Sequence, residues 1–504
     1  MKKIIYGSKN GLNLKSLPSL LKDKYCTKMQ NIFYEGEGIL KKRKGYKKII
    51  DLNTTSKITM CSVFKKYILF THKNILSAYD TEKNKIYTIK NDFSLPDPFS
   101  GVLYGDFFYL CNGGDKIGYI DENLSFKFLE NSPKAKILFL HDEKLFAGNI
   151  ENSESKIMWS NRFIDNKQIP FSIWTTENST PRYHEAGNID CKKFGKLNSI
   201  ANMKNKIIGF FENGKICFSI EAERSSRGIL YQNIINYFEK YDFGGDKSLS
   251  FNDGVFYINE SGIFHQEGHN TTNISESLGT EYFEKINLKN ADIIISPDNQ
   301  KLLITCSYEG NQNNTVLYFD IKNKIWSEIK GWNIECFSKD RNDLYAGGSL
   351  DSKIYKLFRD ESDDGEEIEA IYETSELSFG DPTLIKKSKN FYIKGKLCED
   401  SEINVKFDIW DKKNSLIKNK KTFIWKKDTD IISEILGIGE ISFGEPESIK
   451  SGNIKESFGH KKINLKNYLK TKVKIREKSC LPLEINIIGI DSESVKNARK
   501  NNLS

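Results

Sequence analysis

Short runs of alternating β-branched and aromatic residues, each ended by a polar turn, recur along most of this 504-residue chain. One copy covers residues 67–89 and the next covers residues 101–120. Runs of this length with Asn, Asp and Gly between them predict antiparallel strands joined by tight hairpins. The units begin near residues 57, 100, 136, 199, 250, 291 and 335, so that successive units are about 35 to 65 residues apart.

This spacing predicts an all-β fold, because a four-stranded propeller blade needs about 40–50 residues. We therefore expect a β-propeller of six to seven blades, with an array of β-sandwiches as the alternative. No Trp-Asp or Gly-His signature recurs, so the WD40 class is not supported. Two units are stretched. Residues 151–196 insert a loop that contains Trp159 and Trp174, and residues 222–247 insert a segment with apolar positions 230, 234, 235 and 238, which predicts a helix.

The composition divides the chain into four parts. Residues 1–45 are basic and lack a strand pattern, so we expect an extended arm that orders only on a neighbour. The propeller is assigned to residues 46–358, and the acidic residues 359–371 are interpreted as a self-repelling linker. Alternating runs in residues 372–504 predict a C-terminal antiparallel β-domain that resembles a sandwich.

The last blade is short in the sequence, and residues 46–52 form a strand-like run just before the first unit. An unpaired edge at the last blade would expose a row of backbone donors. We therefore predict that residues 46–52 pair with residues 344–357 and complete that blade.

The charge is unevenly placed along the chain. Residues 1–50 carry 13 Lys/Arg against 3 Asp/Glu, residues 371–504 carry 26 against 19, and residues 51–370 carry 37 against 46. An acidic centre between basic segments predicts contact with nucleic acid or with an acidic partner. The alternative is a lysine-rich composition throughout, because only nine of the 76 cationic residues are Arg.

Nine cysteines are spread singly, and no Cys-x-x-Cys occurs. This pattern predicts buried, reduced thiols and maturation in a reducing compartment. The first residues do not form a signal peptide, and no apolar run approaches the roughly 18 residues of a membrane span. We expect a soluble protein made in the cytoplasm.

The sequence offers no catalytic, cofactor-binding or metal site, so we assign none and expect no enzyme activity. His265 and His269 have the spacing of a zinc pair, but the strand-turn context lacks the required helix. The Gly-Gly pairs lack a following Gly-Lys-Ser/Thr, and no Gly-x-Ser-x-Gly elbow occurs. A propeller glycosidase needs a carboxylate pair, and Asp253 and Glu260 border ordinary turns.

An ordered series of short motifs near the N-terminus is more specific. It comprises Gly11-Leu12-Asn13, Pro18, Lys22-Asp23, Gln30-Asn31, Gly36-Glu-Gly38-Ile-Leu40 and Lys42-Arg43-Lys44-Gly45-Tyr46. Further along stand Trp159-Ser-Asn-Arg, the passage from Gly244-Gly245 through Gly254-Val-Phe-Tyr-Ile to Gly262-Ile-Phe, Ile274-Ser275, and Thr374 to Lys386. In this order, the motifs resemble the tail nozzle, packaged-DNA stabilisation or tail hub proteins of short-tailed bacteriophages. The resemblance covers most of residues 1–390, whereas residues 400–504 carry no matching motif.

The resemblance implies a virion structural protein that forms a ring, expected to be a hexamer, below the portal and its adaptor. Such a ring retains packaged DNA and passes it during ejection. Its partners would be copies of itself, portal or adaptor and other tail proteins, and DNA bound by non-specific electrostatics. A carbohydrate-binding propeller for receptor recognition is the alternative, and Trp159 and Trp174 are its candidate residues, with packing of their loop onto the blade as their other role.

Overall fold

The chain is built almost entirely from β-strands. The computed structural model describes residues 2–5, 10–18, 20–21, 24–96, 99–162, 170–178, 180–241, 244–426 and 455–494. Within these ranges the helical elements are two 3-10 turns, Lys192–Phe194 and Glu276–Leu278, and one α-helical turn, α1 (Thr280–Phe283). No helix in the described ranges has the length and apolar character needed to cross a membrane.

Five strands precede the first complete blade. They are β1 (Lys2–Ile5), β2 (Cys26–Gln30), β3 (Ile32–Tyr34), β4 (Leu40–Lys42) and β5 (Tyr46–Asp51). Four of them pair with parts of the chain far away in sequence, whereas β3 pairs with β4.

Seven four-stranded units follow one another around a β-propeller. The first blade contains β6 (Ile58–Phe64), β7 (Tyr67–His72), β8 (Ile75–Asp80) and β9 (Lys85–Lys90), and the second contains β10 (Ser100–Tyr104), β11 (Phe107–Cys111), β12 (Gly118–Ile120) and β13 (Phe126–Phe128). The third contains β14 (Ala135–His141), β15 (Lys144–Ile150), β16 (Ser153–Trp159) and β17 (Gly187–Asp190). The fourth contains β18 (Leu197–Met203), β19 (Lys206–Phe211), β20 (Gly214–Arg224) and β21 (Leu230–Lys240).

The last three blades complete the circle. The fifth blade contains β22 (Lys247–Phe251), β23 (Gly254–Asn259), β24 (Gly262–Glu267) and β25 (Asn270–Asn273). The short β26 (Ile286–Asn287) precedes the sixth blade, which contains β27 (Ile293–Ile295), β28 (Lys301–Tyr308), β29 (Thr315–Asp320) and β30 (Ile325–Lys330). The seventh contains β31 (Ile334–Lys339), β32 (Leu344–Gly348) and β33 (Lys353–Leu357), and β5 adds its fourth strand. The prediction of a propeller with six to seven blades is confirmed, and the number is seven.

The ring is closed by the N-terminal strand β5. It runs antiparallel to β33, with Ile50 opposite Ile354 and Tyr46 opposite Leu357. The predicted pairing of residues 46–52 with the end of the last unit is therefore confirmed. Ile50 and Ile354 share one apolar cluster with Ile58 and Phe70 of the first blade, so the first and last blades are packed together. Burying an aliphatic side chain of this size contributes about 1.5–3 kcal/mol.

Serine side chains link the innermost strands of neighbouring blades. The backbone N–H of Val63 in the first blade donates to Ser338 Oγ of the last blade at 3.1 Å. The N–H of Leu138 donates to Ser100 Oγ, and the N–H of Asn202 donates to Ser250 Oγ at 2.7 Å. These bonds satisfy backbone donors on strand edges that have no further strand beside them.

The C-terminal domain contains β34 (Ile368–Thr374), β35 (Lys386–Leu397), β36 (Ile403–Asp411), β37 (Leu416–Trp425), β38 (Lys455–Ser479) and β39 (Leu483–Ser494). The 25-residue β38 joins two layers, because its first half pairs with β35 and its second half lies between β36 and β34. β39 continues the first layer, and β1 and β4 pair with β39. The domain is thus a sandwich-like pair of antiparallel layers that includes N-terminal strands.

The sequence predicted an extended arm over residues 1–45, and this prediction is wrong for residues 24–45. β2 pairs antiparallel with β34 and meets β30 of the sixth blade at Gln30 and Glu328. Cys26, Met29 and Ile32 are buried in an apolar cluster that also contains side chains of the fifth and sixth blades and of the C-terminal domain. The strands of this segment have only three to five residues, so they are too short for an alternating pattern to reveal them.

Two further expectations are corrected by the structure. The segment that predicted a helix is the strand β21, which pairs along its length with β20. The acidic residues 359–371 do not form a solvated linker, because the N–H of Gly45 donates to Asp360 O and β34 begins at Ile368. All nine cysteines are free thiols and eight are buried, in agreement with the predicted role of small apolar side chains.

Candidate functional site

The N-terminal residues Asn31 and Arg43 lie where the sixth blade meets the C-terminal domain. We call the group Asn31, Arg43, Trp332 and Asp363 the Arg43 node. The guanidinium of Arg43 donates to both carboxylate oxygens of Asp363, from Nη1 at 2.8 Å and from Nη2 at 2.6 Å. Trp332 lies against the guanidinium, 4.6 Å from its carbon to the ring centre, and its Nε1 donates to Asp363 Oδ1 at 2.9 Å. A two-pronged pair of this kind fixes the orientation of both partners.

Asn31 connects three parts of the chain through one side chain. Its Oδ1 accepts from Arg43 Nε at 2.9 Å and from the backbone N–H of Lys330 at 3.0 Å. Its Nδ2 donates to the backbone carbonyl of Glu369 at 2.9 Å. The backbone of Asn31 has φ 55°, a conformation that Asn adopts more readily than most residues. One amide therefore ties the N-terminal segment to the sixth blade and to β34.

Two glycines of the N-terminal motifs allow close approaches at the same junction. A Cβ on Gly45 would lie 1.8 Å from the carbonyl oxygen of Ser362, so only glycine fits between these backbones. Gly11 has φ 69°, and a Cβ there would lie 2.6 Å from Cγ2 of Ile325 in the sixth blade. Lys22 and Asp23, which belong to the same motif series, lie outside the described residues.

Lys42 adds a second buried ion pair on the side of the C-terminal domain. Its Nζ donates to Glu477 Oε2 at 2.7 Å and to the carbonyls of Ser479 and Leu481, and both charged side chains are 1% exposed. Burial lowers the pKa of Lys42, and the Glu477 carboxylate opposes that change. Lys42 and Arg43 are adjacent in sequence, so consecutive residues anchor the segment to opposite sides of the junction.

The acidic stretch supplies counter-charges for the basic N-terminal segment. Besides Asp363, the half-buried Glu361 lies 3.7 Å from Lys44, and the exposed Asp364 lies 3.8 Å from Lys48. The second half of β38 shows the same arrangement on the outer face of its layer. Five alternate cations there pair with carboxylates of neighbouring segments: Lys470–Glu376, Lys472–Glu373, Lys474–Asp408, Arg476–Glu369 and Lys478–Glu367. Much of the predicted charge asymmetry is thus paired within the chain.

A cleft of about 360 Å³ opens beside the junction, between the β3–β4 hairpin and the last two blades. Among its lining residues, Lys41 pairs with Glu35 at 3.6 Å, Lys301 with Asp298 at 3.4 Å, and Arg359 with Asp343.

The tryptophans predicted as carbohydrate contacts are core residues. Trp159 and Trp174 are each 1% exposed. Trp159 lies 5.6 Å from Phe146 in a tilted stack, and its Nε1 donates to Gln232 of β21 at 3.1 Å. Trp174 packs with Tyr109 and Phe171 in the cluster between the second and third blades. The structure gives them the alternative role, which was to pack their loop onto the blades.

The two histidines with zinc-like spacing contact aromatic rings instead. His265 stacks on Phe256 with ring centres 4.4 Å apart, and His269 lies 5.1 Å from Phe238. Across the residues that the structure describes, no group of three His, Cys, Asp or Glu side chains is arranged to hold a metal ion.

Sequence reasoning recognised the motif residues but did not place them together. Asn31, Arg43 and Gly45 were noted as a series along the chain, whereas Trp332 and Asp363 were not singled out. The available signal was charge, because Asp363 belongs to the only strongly acidic stretch that follows the basic segment.

No family model and no curated protein matches the sequence. Solved structures with a similar arrangement include the extracellular domain of BT4673 from B. thetaiotaomicron, at 11% identity and a TM-score of 0.41 over 64% of this chain. YCF48 bound to D1 peptide is similar at 9% identity and a TM-score of 0.40, with 63% of this chain and 98% of that chain covered. The computationally designed Ika8 protein gives 9% identity and 0.37. The chain covers only 41% of the BT4673 domain.

Proposed function

We propose that this chain is a structural protein of a bacteriophage tail. In this proposal it forms a ring-shaped nozzle or hub below the portal, expected to be a hexamer, which retains packaged DNA and passes it during ejection. Its site of action is the virion tail, its partners are copies of itself, portal or adaptor and other tail proteins, and DNA, and it has no catalytic role.

The convergence of the N-terminal motif residues carries this proposal. Gly11, Asn31, Arg43 and Gly45 belong to the ordered motif series that carries the family resemblance, and these four lie at the junction of propeller and sandwich. Scattered turn glycines and surface lysines would have no reason to meet at one buried place. These motif residues therefore connect the two domains, and this shared structural role supports the resemblance to the phage tail proteins.

The mechanical properties of the junction also suit a conduit. The sixth blade, β2, β34 and the C-terminal layers form one hydrogen-bonded sheet, and a single apolar core passes from the propeller into the sandwich. A propeller leaves only short edges, and loops at its two ends are free for contacts with neighbours. A rigid body of this kind can hold the geometry of a ring under load.

The carbohydrate-binding alternative is not supported by its candidate residues, because Trp159 and Trp174 are buried. A glycan array with the isolated protein remains its direct test. Specific binding to one glycan would favour receptor recognition over a conduit.

The deciding experiment is to determine where the protein stands in particles. We expect the purified chain to be monomeric or weakly associated in native mass measurements, and to appear as sixfold density below the portal when particles are imaged by electron microscopy. A ring that forms only on an adaptor or in particles would support the proposal. Single copies at a fibre tip, or absence from particles by peptide mass spectrometry, would refute it.

A further inference from the structure

The hairpin formed by β36 and β37 extends beyond the core of the C-terminal domain. Every residue from Leu416 to Thr422 is exposed, although these residues belong to a paired strand. Only at Phe423 and Trp425 does β37 return to the apolar core. Within the described residues β37 pairs with β36 alone.

The end of this hairpin carries a dense and mostly positive charge. We call its five exposed lysines the hairpin lysines, and they are Lys412, Lys413, Lys418, Lys420 and Lys421. Asp411 is the single carboxylate in residues 411–421, and its Oδ1 accepts from the backbone N–H groups of Lys413 and Ser415, which shapes the turn.

The hairpin lysines differ from the cations in the second half of β38. Lys470, Lys472 and Lys474 each have a carboxylate partner at 2.6 to 3.2 Å. Among the described residues, no carboxylate pairs with any of the hairpin lysines. Within its described residues, the domain thus pairs the cations in the second half of β38 with carboxylates and leaves the hairpin lysines exposed.

The local backbone fixes the direction of these side chains. The register between Phe407–Lys421 and Ile409–Ile417 shifts, so residues 418–420 bulge opposite Asp408. Asn419 at the centre has φ 50°, and its N–H donates to Asp408 Oδ1 at 2.8 Å. A bulge re-aims side chains and ends regular pairing. Lys418 and Lys420 therefore lie on a bulge whose backbone is held by the hydrogen bond to Asp408.

The composition of the hairpin favours a polyanion over a protein partner. Protein interfaces are depleted in Lys and enriched in aromatic residues and Arg, whereas binding to the phosphate backbone requires only positive charge. Lysines and a bulge also guard an open strand edge against pairing with another chain. That role does not account for Lys412 and Lys413, which lie in the turn rather than on the edge strand.

We propose that the hairpin lysines contact the phosphate backbone of duplex DNA without reading its sequence. The inference rests on the proposed function only in the choice of DNA as the polyanion. A two-stranded ribbon is narrow enough to enter the major groove or to lie across its phosphates. Five phosphate contacts predict a slope of about −4.5 in a plot of log affinity against log salt.

The test uses the full chain and two duplexes of unrelated sequence, with binding followed by fluorescence anisotropy at several salt concentrations. Replacing Lys418, Lys420 and Lys421 by Gln should weaken binding to both duplexes equally and reduce the slope by about 2.7. The matched control replaces Lys83, Lys85 and Lys127, exposed residues near or on the outer edge strands of two blades, by Gln. It removes the same charge and should leave the slope unchanged.

Three outcomes would overturn the inference: no binding by the unmodified chain, equal losses in test and control variants, or a preference for one duplex. Ring assembly that is lost in the test variant while DNA binding persists would assign the hairpin to an acidic protein partner instead. Circular dichroism and thermal melting check that both variants are folded. The proposed function is judged separately, because it fails if the protein is absent from particles even when the hairpin binds DNA.

Discussion

The Arg43 node gives the sharpest test of the junction, because its ion pair is almost completely withdrawn from water. The side chain of Arg43 is fully buried and that of Asp363 is 10% exposed. Removing one partner of such a pair leaves a buried charge without compensation, which costs about 3–5 kcal/mol. Asp363→Asn keeps the shape of the side chain and removes only its charge. We expect this variant to lower the free energy of unfolding by about 3 kcal/mol, near the lower end of that range, because Arg43 keeps its other acceptors.

Arg43→Met should lower the free energy of unfolding by more than Asp363→Asn does. The variant leaves Asp363 with the indole N–H of Trp332 and also loses the bonds from Arg43 to Asn31 Oδ1, Lys44 O and Lys330 O. We expect about 5 kcal/mol from the unpaired carboxylate and the lost bonds together. The double variant contains neither charge, so its cost should fall below the sum of the single costs by about 2 kcal/mol.

Urea unfolding followed by tryptophan emission measures these free energies, and Trp332, fully buried against Arg43, is one of the six tryptophans that contribute to the signal. The matched control is Glu361→Gln, which removes the half-buried partner of the exposed Lys44 in the same acidic stretch and should cost less than about 1 kcal/mol. Single-variant costs below 1 kcal/mol, or costs that simply add in the double variant, would refute the reasoning.

Two further predictions concern a close approach and a buried amine. Gly45→Ala should prevent the junction from closing and expose residues 24–45 to limited proteolysis, whereas Gly36→Ala, at φ 82° with no atom within 4 Å, should cost only about 1–2 kcal/mol. Burial lowers the pKa of Lys144 to about 8. The unfolded chain therefore binds the extra proton between pH 8 and 10.5, and the free energy of unfolding should rise with pH in that window relative to Lys144→Met.

The propeller could be predicted from the sequence because its signals are local. Each blade consists of alternating runs with polar turns, and the closing strand followed from the requirement that the last edge be paired. Ile50 opposite Ile354 is the kind of contact that this argument anticipates, although the residues are 304 positions apart.

The helix predicted within residues 222–247 was wrong for a physical reason. Ile234, Ile235 and Phe238 satisfy a helical spacing, but the run also contains Tyr231 and Tyr237, and β-branched and aromatic residues favour strands. Ile234 faces Ile220 across the pair with β20, and this partner decides the conformation. Short apolar runs are ambiguous until their partner is known.

The junction could not be predicted because its interactions join distant residues. Asn31, Arg43 and Gly45 each stand in an ordinary polar context in the sequence, and the groups that they meet lie about 300 residues later. Nothing local indicates that Arg43 is buried, since arginine is rarely withdrawn from water unless it is paired.

The location of the paired charges changes where a polyanion can be bound. The basic N-terminal segment was the first candidate, but Lys42 and Arg43 are buried with Glu477 and Asp363, and Lys44 and Lys48 face the acidic stretch. A phosphate would have to displace carboxylates that are held close by the fold, and for the buried pairs it would also have to open the core. The hairpin lysines face neither barrier, because their charge is exposed and has no described counter-ion. Excess positive charge in the whole chain is therefore a weaker guide to a DNA contact than charge that the fold leaves unpaired.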